Sequence, residues 1–219
     1  MANNYPQVIL KFVMDAIFPV RCIGCGTYDM YLCDSCLTGI EIKNDSEMVG
    51  NLQIFSAADY RNPLVEKALK VFKYGFIKDM TGPVFSTIRH YIDNLSDNLG
   101  LFDGNPLLVP VPLSRKRLNW RGFNQSEILA DKIAEHYGLE IGREILARTK
   151  DIKPQADIKD RENRLGNIVG AFECRGALRK RNIILIDDIC TTGATLNECA
   201  KVLAANGAGK IKALVVARG

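Results

Sequence analysis

Apolar residues follow two rhythms along this 219-residue chain. One is a short unbroken run bounded by turn residues. The other recurs every three or four positions. Ile183-Ile184-Leu185-Ile186 is the clearest run, and it reads as a strand buried on both faces, as in a parallel sheet. Residues 54–60 and 210–218 read as further strands. Leu107-Leu108-Val109-Pro110-Val111-Pro112 reads as an edge or terminal strand, because proline donates no ladder hydrogen bond. The second rhythm gives helices over 63–74, 83–94 and 126–137, and another directly after residues 191–195. Pro63 opens the first, with Leu64, Ala68, Leu69 and Phe72 on one face. Residues 8–18 read as a short amphipathic helix, because Lys11 and Asp15 interrupt the apolar run. Residues 37–51 are polar and read as a linker. Residues 148–165 form a longer polar stretch of the kind used for lids and binding loops. The pattern predicts an α/β domain over residues 51–219 with a mostly parallel sheet flanked by helices. A small unit over residues 1–50 precedes it.

The strand at 183–186 runs into Asp187 and Asp188, then Ile189, Cys190, Thr191, Thr192, Gly193, Ala194 and Thr195. Open α/β sheets bind ligands at the carboxyl ends of their strands. A loop of hydroxyls and glycine entering a helix offers N–H groups and a favourable dipole to a phosphate. Two neighbouring acids beside such a loop suit a ligand that also carries hydroxyls or a divalent cation. Without a ligand, the same residues would be a packed strand and a capped helix.

Charge sharpens the picture. The net charge is +4, but residues 1–104 carry −3 and residues 105–219 carry +7. A basic second half suits a polyphosphate or a nucleic acid, although any one cation serves equally well as solvated surface. The cations concentrate in Arg115, Lys116, Arg117 and Arg121, between a strand end and a helix start and with no acid among them. Such a group would bind a dense anion such as pyrophosphate. Trp120 and Phe123 lie in the same segment; packing that anchors the segment and stacking on a base both fit them. No apolar run approaches the ~20 residues of a membrane span, and no signal-peptide pattern is present, so a cytoplasmic protein with free thiols is expected.

Four of the seven cysteines form two Cys-x-x-Cys pairs, Cys22/Cys25 and Cys33/Cys36, with seven residues between the pairs. This spacing suits one tetrahedral zinc ion held by four thiolates, a closed structural site. Gly24 and Gly26 would let the first turn bend toward the metal. Two redox disulfides or an iron–sulfur cluster are competing uses of the same thiols.

The stretch of four apolar residues, two acids, two variable residues and Thr-Thr-Gly resembles the phosphoribosyl pyrophosphate (PRPP) signature of type I phosphoribosyltransferases. Four segments in order make nearly the whole chain similar to the ComF family, in which a zinc finger precedes a phosphoribosyltransferase domain. They are Cys22…Cys36; residues 109–125 with Arg121-Gly122-Phe123-Asn124-Gln125; Gln155…Arg164-x-x-Asn167…Phe172; and residues 183–195. The resemblance implies that Asp187 and Asp188 accept hydrogen bonds from the ribose hydroxyls of PRPP. It implies that Thr191, Thr192, Gly193, Ala194 and Thr195 hold the 5′-phosphate. Arg115, Arg117 and Arg121 would meet the pyrophosphate, Arg121 first among them, and magnesium would accompany PRPP. Residues 148–165 would close over the site. The family is associated with uptake of single-stranded DNA in natural transformation, sometimes beside a helicase-like ATPase. Transfer of phosphoribose to an acceptor is thus one expectation. The other is a non-catalytic module that binds single-stranded DNA or the helicase and retains the fold.

Overall fold

A computed structural model describes residues 19–74, 80–96, 99–149 and 168–219. The apolar runs form the strands expected of them. The main sheet contains β1 (Ser46–Val49), β2 (Leu52–Asp59), β3 (Leu107–Pro110), β6 (Ile183–Cys190) and β7 (Ile211–Arg218), in the order β1-β2-β7-β6-β3. Every pairing is parallel except β1 with β2. The prolines of 110 and 112 do lie at an edge, since β3 pairs in this sheet only with β6. A small antiparallel pair, β4 (Leu146–Arg148) with β5 (Phe172–Cys174), stands apart.

The helices are α1 (Asp34–Thr38), α2 (Pro63–Tyr74), α3 (Thr81–Asp93), α4 (Arg115–Arg121), α5 (Gln125–Tyr137) and α6 (Ala194–Ala205). Alternate strand residues face opposite ways, so β6 feeds two cores. Ile184 and Ile186 pack with Phe72 of α2, Ile88 of α3, and Leu129 and Ile133 of α5. Ile183 and Leu185 pack with Leu196, Cys199 and Leu203 of α6 on the other face. Helices on both faces explain why β6 reads as a continuous apolar run rather than an alternating one.

Two expectations change. Residues 46–49 belong to the sheet rather than to a linker, because they pair antiparallel with β2 from Ser46 opposite Phe55 to Val49 opposite Leu52; the polar flanks mask so short an edge strand. The cationic segment is a helix rather than a loop. Ser114 caps α4 by accepting from the Arg117 N–H, and Gly122 ends it at φ 75°. Residues 8–18 and most of 148–165 lie outside the described residues.

Candidate functional site

The carboxyl ends of β3 and β6 open into a cleft of about 730 Å³. Besides Val111, Pro112 and Leu113 after β3, its walls draw on five places in the sequence. These are the end of α2 (Lys73, Tyr74), α4 (Lys116, Arg117, Trp120, Arg121), the start of α5 (Gln125, Ser126), Arg148 of β4, and Asp187, Asp188, Thr191 and Thr195. This is the location that open α/β sheets favour for ligands.

The two acids are held differently. Asp188 is buried and its Oδ2 lies 3.0 Å from Lys73 Nζ, in an ion pair that is itself largely covered. Asp187 Oδ1 accepts from Ser126 Oγ at 3.0 Å and from the Asp188 N–H at 2.8 Å. Burial, reinforced by the neighbouring Asp188 charge, pushes the Asp187 carboxyl up to about 7, while Lys73 and the two hydrogen bonds pull against that rise. A ligand hydroxyl or cation arriving here would meet one carboxylate paired with Lys73 and a second held by Ser126 and the Asp188 N–H.

The loop after β6 is shaped by glycine. Gly193 adopts φ 74° at the start of α6, and a Cβ there would stand 2.6 Å from Val49 Cγ1. Asn197 Nδ2 donates to both the Gly193 and Val49 carbonyls at 3.0 Å, tying the loop to β1. Thr192 Oγ1 accepts from the Ala194 N–H at 3.4 Å. Thr191 and Thr195 line the cleft, whereas Thr192, Gly193 and Ala194 do not.

Among the arginines singled out from sequence, Arg117 and Arg121 line the cleft and Arg115 does not. Arg121 is 6% exposed, with its guanidinium 5.1 Å from the centre of the Tyr74 ring. Its Nη1 donates to Gln125 Oε1 at 3.0 Å. Trp120 is 55% exposed and packs 5.7 Å from Tyr74, centre to centre. The sequence reading assigned no site role to Lys73, Gln125 or Ser126. Lys73 had a signal: it lies four residues beyond Leu69, on the buried stripe of α2 rather than its solvated face.

The four cysteines also converge. Cys22, Cys25, Cys33 and Cys36 keep their sulfur atoms within 4.8 Å of one another. Cys22 and Cys33 are 3.7 Å apart, and Cys25 and Cys33 are 3.5 Å apart. Thiolates on one tetrahedral zinc stand about 3.8 Å apart, given a Zn–S bond of about 2.3 Å. All four thiols are free, and the separations exceed the ~2.05 Å of a disulfide. The group can therefore hold one metal ion. Both glycines of the first turn act as expected. A Cβ at Gly24 would fall 2.6 Å from Cys36 Sγ, and Gly26 takes φ 79°. The knuckle docks on α2, where Lys67 Nζ donates to the Ile23 carbonyl at 2.7 Å. Among the described residues no helix is long and apolar enough to cross a membrane.

No family model matches the chain. It is 32% identical over 113 residues to competence protein F of Haemophilus influenzae, covering 51% of this chain and 49% of that protein. It is 36% identical over 110 residues to competence protein ComFC of Streptococcus pneumoniae, covering 50% and 47%. It is 32% identical over 111 residues to DNA utilization protein YhgH of Escherichia coli K12, covering 51% and 48%. A crystal structure of TT1426 from Thermus thermophilus aligns over 62% of this chain and 83% of that one, at 13% identity and a TM-score of 0.34. The chain spans about half the length of the curated relatives it matches. Over that half it is a homologue of competence protein F, ComFC and YhgH, which bears out the resemblance carried by its motifs.

Proposed function

We propose that the cleft binds PRPP or a closely related phosphoribosyl ligand, and that the protein serves DNA utilization during competence in the cytoplasm. The observation that carries the reading is the convergence of an acid pair, two loop threonines and Arg117 and Arg121 on one cleft at the carboxyl end of a parallel sheet. Asp187 and Asp188 would accept from ribose hydroxyls. Thr191 and Thr195 would meet the 5′-phosphate at the start of α6. Arg117 and Arg121 would take the pyrophosphate and steady the charge that grows on it if it leaves C1 for an acceptor. When bound, magnesium neutralises part of the pyrophosphate charge. Zinc in the four-cysteine knuckle would be structural, because four thiolates leave no open coordination position. The names of the homologues support the biological role, which for this chain stays part of the proposal.

One observation favours a second reading, a module for single-stranded DNA. Trp120 is exposed on the rim beside Lys116 and Arg117, the pairing of aromatic and cation that binds unpaired bases. Trp120 is the single tryptophan, so its fluorescence separates the readings. With PRPP and magnesium, a saturable change is expected that persists as salt rises. With an oligodeoxynucleotide, the DNA reading requires a change that fades steeply with salt. A response to DNA alone would overturn the phosphoribosyl reading in favour of the second.

A further inference from the structure

The end of the sheet opposite the cleft carries a turn in an unfavourable conformation. Arg179 and Lys180, just before β6, have φ of 46° and 61°. Across them the Arg181 N–H donates to the Leu178 carbonyl at 2.8 Å. This is the pattern of a type I′ turn, whose two central residues are ordinarily Asn and Gly. Among the described residues, the other non-glycine residues with positive φ are Asp29 and Asn105, the types that tolerate it best. Two adjacent long cations held this way are strained.

The surroundings fix the strain in place. Leu178 is buried in the core beneath α6. The Lys180 N–H donates to the Gly207 carbonyl at 2.8 Å, and the Gly209 N–H donates to the Arg181 carbonyl at 2.7 Å. The Lys210 N–H donates to Asn182 Oδ1 at 3.0 Å. The segments entering β6 and β7 are thus laced together, with Arg179, Lys180 and Lys210 exposed on them. Glu173 is taken by Arg175 and Glu140 by Arg181, while Asp103 acts on Lys212. Among the described residues no carboxylate lies within ion-pair distance of Arg179, Lys180 or Lys210.

This face is separate from the cleft. β6 is eight residues long, and at ~3.3 Å per residue the turn lies about 25 Å from the cleft. The face is also chemically plain. None of the large exposed apolar side chains, Tyr28, Met48 and Trp120 among them, falls within residues 175–182 or 206–212. A protein partner would call for such an anchor, and unpaired bases would call for an aromatic surface. A row of phosphates needs only the cations.

We infer that the Arg179–Lys180 turn, together with Lys210, is a face that meets the phosphate backbone of nucleic acid, paired or unpaired, without reading its bases. It does not rest on the phosphoribosyl reading, and it differs from the Trp120 rim in place and in chemistry.

The experiment measures the affinity of the metal-loaded full chain for a labelled DNA strand and for its duplex across a salt series. Wild type, Arg179→Asn/Lys180→Gly and Lys210→Gln are compared. The double variant gives the turn its preferred residues and removes two cations, so stability and affinity should move in opposite directions. Its melting temperature is expected to rise. Its affinity for both DNAs is expected to fall about fivefold or more at low salt, and the slope of log affinity against log salt is expected to shrink by about 1.8 on the duplex and about 1.4 on the single strand. Lys210→Gln should give about half that change in slope. Unchanged affinity in the double variant overturns the inference, as does absence of binding by the wild type to either DNA. A loss confined to the single strand overturns it too, because bases would then be involved, and a loss that comes with a lower melting temperature overturns it as a folding defect. Titration of the same proteins with PRPP keeps the two readings apart: a wild type that binds DNA through the turn and ignores PRPP supports this face and counts against the phosphoribosyl reading alone.

Discussion

The cysteine knuckle and the cleft are two convergent sites assembled in opposite ways. The knuckle draws its four sulfurs from 15 consecutive residues, Cys22 to Cys36, and every sulfur turns inward to the others. Such a site is chemically closed and local, and its product is stability. The cleft draws Lys73, Arg121, Gln125, Asp188 and Thr195 from more than 120 residues of chain. It leaves charge and donors unspent: Arg121 Nε, Gln125 Nε2, and an Asp187 carboxyl raised to about 7. Folding alone would select against such leftovers, so their cost supports the proposal of a ligand site.

The comparison breaks most visibly if the knuckle is opened. Chelation of the metal, or Cys22→Ser, is expected to unfold residues 19–45 locally, a loss on the order of several kcal/mol of local stability. Metal content and limited proteolysis read this directly. Ligand binding in the cleft should change less than about tenfold, or ~1.4 kcal/mol, because no residue of the knuckle lines the cleft. Equal loss in both regions would mean that the two are one cooperative unit.

The smaller effect concerns pH. The Asp187 carboxyl is raised in the folded state, so its protonated form favours folding. That contribution is fully present below the unfolded value of about 3.9 and is lost as pH rises through about 7. Asp187→Asn can still accept from Ser126 Oγ and the Asp188 N–H. It should therefore stabilise the ligand-free protein above pH 7 by about 1–3 kcal/mol, and the gain should shrink toward pH 4. Urea unfolding at pH 5 and pH 8 checks it. A gain independent of pH would show that Asp187 does not carry this strain.

Much of the frame was legible in the sequence, for physical reasons. Ile183–Ile186 announced a parallel strand because helices on both faces demand apolar residues at every position. The four cysteines announced a cluster able to hold one metal ion because local spacing is all such a group needs. The acid pair and the loop were legible because chain order places them at a strand end. The rest needed three dimensions. The cationic segment read as a loop because α4 is only seven residues long and presents three exposed cations in its first turn. Ser46–Val49 looked like linker because its role, bracing Gly193 through Asn197, spans 148 residues. Gln125 was legible only as the last residue of the Arg121–Gln125 segment, with no role of its own, since a glutamine at the start of a helix is ordinary until its partner is seen.

The most direct test of the central claim is calorimetric titration of the metal-loaded protein with PRPP and magnesium, alongside Asp188→Asn. The account predicts saturable binding by the wild type and a loss of at least about tenfold, ~1.4 kcal/mol, in the variant, because the substitution removes a carboxylate from the ribose site and leaves Lys73 without its partner. Equal binding by both proteins, or none by the wild type, would contradict it.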